Sequence, residues 1–328
     1  AGGHDAAVSE IPTAAIAKLE PNRITRTLLL GVASGSTPSE SNAPDFATDT
    51  RVESVGEGEY RAVPHPRWEI WGPMGGYVAA LALRAAAADV AGRGRGDVLP
   101  ASFSCQFLAP ARFEPVNIST RVRRESARAA AVAVEMAQEG RAVLDAQVWF
   151  AAPVEAALTL EHEFPVAAAA FAGPAGLPSR EELTSEPSSF PFWENFDTRP
   201  VTWVHDWDSH PGGDPTWAWW LRFRPRAEFS DPVVEACRLL LLADLPSWPS
   251  VTRGHAGTAA FNNFVAPSLD LAVQFHDLSA LGEWLLIAGV SSVGHRGTIG
   301  FRSEVLTADR RLGASGSGQL LCRPQRRS

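Results

Sequence analysis

Several things are scarce in this chain. Its 328 residues include three cysteines, Cys105, Cys237 and Cys322, with no CxxC pair and no Cys/His ligand set. Structural zinc is therefore not expected. An odd number of thiols among apolar neighbours fits buried cysteines in a reducing cytosol, so a cytoplasmic location is the expectation. No apolar run approaches the roughly 20 residues that span a bilayer. The longest, residues 233–245, is broken by Glu235, Arg238 and Asp244. The first fifteen residues carry acids and no basic-led apolar core, so no secretory leader is expected. No GxSxG elbow is present, which argues against a serine-nucleophile α/β-hydrolase. The eight histidines do not pair at metal-ligand spacing, and neither a metal nor a cofactor is expected. Positive charge is also short: the formal net charge is −8. That argues against bulk nucleic-acid binding, which needs cations along the phosphates. It leaves room for one small anionic ligand, which needs only a local cluster of arginines.

What is present is ordinary for a folded protein: 45% apolar and 20% charged residues, and a length that suggests about two domains. Residues 1–44 read as an N-terminal extension, rich in Pro, Ser and Gly near its end. Residues 52–63 read as a hairpin turning at Gly56-Glu57-Gly58. Residues 78–90 are Ala/Leu-rich without Gly or Pro, and read as a helix buried nearly all round. Strands are expected at 102–108, 116–125, 129–138 and 142–151. Residues 153–191 shift to Ala, then Pro/Ser/Glu, and read as a connector. The second block, 192–328, is dense in tryptophan. It is expected to hold a strand at 217–224 and a helix at 233–245, opened by Ser230-Asp231-Pro232, where either polar residue can cap free N–H groups. Strands follow at 268–276, 284–292, 298–307 and 313–322. Both blocks repeat one order: strands, a buried helix, then about four strands. Aligning Gln106-Phe107 with Gln274-Phe275 gives a shift of 168, which roughly superposes the helices and last turns as well. A helix apolar on every side must be wrapped, and a curled antiparallel sheet does so, giving an α+β fold with units at 45–152 and 192–328.

Trp71-Gly72-Pro73-Met74-Gly75-Gly76-Tyr77, opening an Ala/Leu helix, resembles the first half of the bacterial acyl-CoA thioesterase II family. The stretch from Ala266 to His276, followed by Gly282-Glu283-Trp284-Leu285-Leu286, resembles that family's most distinctive segment, and residues 313–320 resemble its final strand. The resemblance runs from about residue 45 to 324. It implies a double hotdog: two antiparallel sheets, each wrapped around a central helix, joined edge to edge. It further implies hydrolysis of a fatty or related acyl-CoA by a water held between an Asp, a Thr or Ser, and a Gln. Asp244 and Ser268 stand at the first two positions. The Gln position falls on Gly318, with Gln319 one residue later. A bulge at Gly316–Gly318 would bring Gln319 into the site. Met74 is a second departure, since relatives often carry a polar residue there. The expected partners are the acyl-CoA substrate and a second copy of the chain, as a homodimer or larger homo-oligomer.

Each of these residues has a blander reading. Asp244, late in a leucine-rich helix, could be an exposed helix-end acid. Strict alternation along 267–276 puts Ser268, Asp270, Gln274 and His276 on one face, as in any half-buried strand. Gly75 and Gly76 could serve tight packing alone, or else present helix N-terminal amides, with that of Tyr77, to an oxyanion. The tryptophans most often mean core, although Trp68 and Trp71 could line an acyl pocket. Two other functions compete with hydrolysis: a non-catalytic acyl-CoA-binding protein, and a hotdog enoyl-CoA hydratase or dehydratase. The second needs an Asp–His pair, and Asp270 and His276 stand about 20 Å apart along a strand.

Overall fold

Alternating short and bulky residues in the first block give strands with one apolar face, and the computed structural model shows how they pair. It describes residues 45–154, 157–158, 172–186 and 190–325. The expected N-terminal extension, and the expected connector at 155–156, 159–171 and 187–189, lie outside those residues. After a short turn of helix, α1 (Phe46–Asp49), come β1 (Glu53–Gly56) and β2 (Glu59–Ala62), the long helix α2 (Gly75–Gly92), then β3 (Leu99–Phe107), β4 (Val116–Glu125), β5 (Ala129–Gln138) and β6 (Arg141–Ala151). The one-turn helix α3 (Arg180–Leu183) leads to β7 (Phe196–Pro200) and β8 (Thr216–Phe223). Helix α4 (Pro232–Asp244) is capped by the Asp231 carboxylate, which accepts from the Val233 N–H. Two short helices, α5 (Ser247–Gly254) and α6 (Ala259–Asn263), then precede β9 (Phe264–Val265), β10 (Ser268–Phe275), β11 (Trp284–His295), β12 (Thr298–Thr307), β13 (Leu312–Leu321) and β14 (Arg323–Pro324). Helices α5 and α6 and strands β7, β9 and β14 carry no signal in the residue pattern.

Twelve strands form one antiparallel sheet in the order β1-β2-β4-β5-β6-β3-β10-β13-β12-β11-β8-β7, while β9 and β14 form a small pair of their own. Each half of the chain supplies six neighbouring strands, and β3 against β10 is the seam. Helix α2 lies on β3–β6 and α4 on β10, β12 and β13. The two helices pack against each other in opposite directions. Gly76 meets Leu241, the Cys237 Sγ–H points at the Ala80 carbonyl, and Arg84 pairs with Asp231 at 2.9 Å. No helix of the described residues is long and apolar enough to cross a membrane.

The repeat is visible, with one correction. At the seam Ser104 pairs with Ala272, and these are 168 positions apart. The helices face each other at Ala80 and Cys237, 157 apart. They do not share the strand shift, because α5 and α6 are inserted between α4 and β10. Each half also carries one bulge at the same place. The register slips between Pro100 and Ser102 in β3, and between Ser268 and Asp270 in β10. The core is continuous across the seam, with leucines 239–242 fully buried, each contributing about 1.5–3 kcal/mol relative to exposure. Leu177, within the expected connector, packs on the outer face against Trp220, Leu286 and Leu306.

Candidate active site

The close approach of two helix ends builds the site. A Cβ on Gly76 would sit 2.8 Å from the Leu241 Cα, and one on Gly75 would sit 2.9 Å from Asp244 Oδ2. Only glycine fits at either position. The first amides of α2 have no acceptors inside the helix, and the Gly76 N–H donates to Asp244 Oδ2 at 2.9 Å. Asp244 is the last residue of α4 and is only 4% exposed, so it is not a solvated helix-end acid. The end of α4 is pinned: Ser303 Oγ–H donates to the Ala243 carbonyl at 2.7 Å and Ser247 Oγ–H to the Asp244 carbonyl at 2.9 Å. Burial pushes the Asp244 carboxyl up to about 6, against the opposing pull of the hydrogen bonds from Gly76 and Ser268.

Ser268 Oγ–H reaches Asp244 Oδ1 at 3.3 Å. It does so because of the β10 bulge. Ser268 stands opposite the buried Leu320, whereas Asp270 stands opposite Gln319. The extra residue, Leu269, moves Ser268 to the inner face, away from Asp270, Gln274 and His276. Strict alternation had grouped all four.

The bulge expected at Gly316–Gly318 is absent, since β13 pairs regularly with β12 from Leu321 to Ala314. Gln319 is exposed on the outer face, between the exposed Ser317 and Leu321, and its peptide N–H donates to Asp270 Oδ1 at 3.1 Å. It is therefore not brought to Asp244. Gly318 occupies the inner position instead. A Cβ there would lie 2.4 Å from the Asp270 carbonyl oxygen and 2.8 Å from the Phe301 ring. Phe301, which the sequence did not single out, fills the room a longer side chain would need.

The other expected residues divide. The Gly76 amide, expected to face an oxyanion, is taken by Asp244. The Tyr77 N–H has no helical acceptor, because the backbone bonds of α2 begin with Val78 N–H to the Met74 carbonyl. The Tyr77 ring is core. It stacks on Trp68, and its hydroxyl donates to the Asp49 carbonyl at 2.7 Å and accepts from the His65 N–H at 3.0 Å. Trp68 is likewise core, donating Nε1–H to Asp49 Oδ2 at 3.0 Å, and does not line a pocket at the surface. Trp71 is 59% exposed and meets Phe190 edge-on. Cys105 is buried on the inner face of β3, its thiol pushed well up by burial and then by the Asp244 charge. The Phe107 ring lies beside Gly75, where a Cβ would come within 3.3 Å of it. Asp270 and His276 both lie on the outer face, His276 against Ser315 Oγ at 2.8 Å, so they form no acid–base pair. Among the described residues, no His, Cys, Asp and Glu cluster suits a metal. A hollow of about 400 Å³ lined by Arg61, Glu114, Pro115, Asn117 and Glu139 touches none of these groups.

Comparisons with known proteins bear on this arrangement. A family model described as the acyl-CoA thioesterase N-terminal domain matches residues 64–151, and one described as the C-terminal domain matches residues 165–321. No curated protein matches. Among solved structures, the chain is similar to an acyl-CoA thioesterase II, TesB2, from Mycobacterium marinum, with 19% identity, 85% of this chain and 97% of that one covered, and a TM-score of 0.66. It is also similar to the tesB protein of Mycobacterium avium subs paratuberculosis, with 18% identity, 85% and 98% covered, and a TM-score of 0.66. A protein of unknown function with a hot dog fold from Alicyclobacillus acidocaldarius gives 19% identity, 86% and 98% covered, and a TM-score of 0.67. At these identities the likeness is one of fold.

Proposed function

The chain belongs to the acyl-CoA thioesterase family, and we propose that it hydrolyses an acyl-CoA through a water activated by Asp244. The observation that carries this reading is a buried carboxylate, raised to about 6, held between the Gly76 N–H and the Ser268 hydroxyl. A carboxylate in this range is ionised at neutral pH yet basic enough to accept a proton. Asp244 takes a proton from the water as its oxygen attacks the thioester carbonyl carbon. The charge on the carbonyl oxygen is met by the Tyr77 amide at the positive end of α2. Collapse breaks the C–S bond, and the Asp244 proton passes to the leaving sulfur, giving free acid and CoA thiol. Ser268 orients the water and the carboxylate. In this reading the six-stranded halves are hotdog units at 45–152 and 192–328, joined by 153–191.

A second reading has one observation behind it. With Gly318 and Phe301 on the inner face, two side chains rather than three hold the water, which favours acyl-CoA binding without rapid turnover. Following free thiol with a panel of acyl-CoAs separates the two. Turnover by the wild-type chain that Asp244→Asn abolishes supports hydrolysis, and binding without thiol release supports the second reading.

A further inference from the structure

Exposed apolar side chains are ordinary when scattered over a surface. In this chain many of the large ones gather at one end of the sheet, the end at which Asp244 and Ser268 lie. Trp71 stands four residues before Gly75, and Leu108 follows Phe107, the ring beside Gly75. Leu321 follows Leu320, which pairs with Ser268. Phe261 on α6 and Phe264 on β9 lie in the stretch that leads into Ser268. Val293, 68% exposed, pairs with Gly300, which in turn pairs with Gln319. From Leu108 beyond β3 to Val293 on β11 there are four inter-strand spacings, about 19 Å.

The way these side chains are set out points to what meets them. They stand among polar neighbours. Leu321 shares its row with Thr298 and His295, and Val293 shares its row with Gly300 and Gln319. A protein partner fits a well-packed apolar centre with a polar rim. A bilayer surface takes apolar side chains one by one and needs no matching shape, and it holds cations at the headgroups. Charge then selects the kind of bilayer. The chain as a whole carries −8, and an anionic surface repels most of it. At this end, Arg296 is at the tip of the β11–β12 turn, where it and Gly297 have positive φ, and Arg323 lies on β14. Both are exposed, and neither has an acidic or hydrogen-bonding partner among the described residues. Of the carboxylates at this end, Glu114 and Glu139 are paired with Arg112, and Asp270 Oδ1 accepts from the Gln319 N–H. Attraction of this kind acts only within about 8 Å, so a chain that is acidic elsewhere can approach with this end alone.

We infer that the end of the sheet bearing Leu108, Phe264, Val293 and Leu321, with Arg296 and Arg323, docks on an anionic lipid bilayer. The docking stands on this surface and does not depend on the hydrolase reading. Flotation of the full chain with vesicles of phosphatidylcholine and phosphatidylglycerol in equal parts tests it, with pure phosphatidylcholine vesicles alongside. The wild-type chain floats with the mixed vesicles, more weakly with the pure ones, and less as salt rises. Arg296→Ala/Arg323→Ala weakens partition onto the mixed vesicles about tenfold or more and leaves that onto pure phosphatidylcholine as it was. Leu108→Ser/Val293→Ser weakens both several-fold. Trp149→Ser removes an exposed apolar side chain from β6, on the row Trp149–Ser102, away from this end, and changes neither. Each variant is compared at a temperature where circular dichroism shows it folded. A wild-type chain that stays off the mixed vesicles overturns the inference. So does a loss of partition in Trp149→Ser equal to that of Leu108→Ser/Val293→Ser. Self-association without vesicle binding, broken by Leu108→Ser/Val293→Ser in light scattering, gives the surface to a second copy of the chain and also overturns it.

Discussion

Where the second-half helix ends in Asp244, the first-half helix carries Ala87, each seven residues beyond the facing pair Cys237 and Ala80. The comparison holds around the rest of the site. Ser268, just before the β10 bulge, answers to Pro100, just before the β3 bulge. Gly318 opposite Phe301 answers to Val148 opposite Val132, both fully buried. Gly76 answers to Val233. The first half keeps the bulge and fills everything near it with apolar volume. The second keeps the bulge and places a carboxylate and a hydroxyl beside it. The bulge therefore belongs to the fold. On the proposed reading, the chemistry belongs to the half that spares the packing, with one site per chain.

The largest effect expected from breaking that asymmetry is on turnover. Asp244→Asn lowers kcat about 10²–10⁴-fold, and thiol release measures it. A variant with near-normal turnover would mean that the second half holds no base. The next concerns pH. The folded chain keeps the Asp244 proton that the unfolded chain gives up from the ordinary value of 3.8, until about pH 6. Stability is thus lost as pH rises through that window, by about 3 kcal/mol in all. Asp244→Asn carries no such loss, so its stability relative to wild type improves by that amount between about pH 3.5 and pH 8 in denaturant titrations. The rate of the wild-type enzyme should rise through the same window, as the base becomes ionised.

Gly76→Ala drives a methyl into the α4 backbone and costs about 1–3 kcal/mol, with a loss of activity as Asp244 shifts. Val233→Ala, its counterpart, only trims a half-buried side chain and costs less; equal melting temperatures for the two variants would show that the helices can part freely. The smallest effect is that of Ser268→Ala. It loses one hydrogen bond to the carboxylate, worth roughly tenfold in kcat, and moves the acid limb of the rate profile upward because that bond favours the charged form.

Much of this was legible in the sequence. Ala/Leu content without Gly or Pro marked α2, Asp231-Pro232 marked the start of α4, and alternation marked β4, β5 and β12 to the residue. Asp244 and Ser268 were legible through the resemblance. What sequence could not place was the bulge. Two glycines in β13 tolerate unusual backbone angles and drew attention, while the extra residue is Leu269, an apolar side chain with no such signal. Gln319 was assigned inward for that reason. Phe301 was missed because its role depends on a hole left by Gly318 on the neighbouring strand. The clue lay in Val148 and Val132, which fill the same space in the first half.

The seam between β3 and β10 has a consequence for how the chain reaches this state. Contacts 168 positions apart close the middle of the sheet, so folding waits on distant partners and is slow for its size. During synthesis the first six strands are complete while β3 still presents a bare row of N–H and C=O groups. That edge is a template for any other strand until Phe275 emerges. A chain stopped short of β10 would offer it permanently, and two such fragments would find in each other the partner that the full chain supplies to itself.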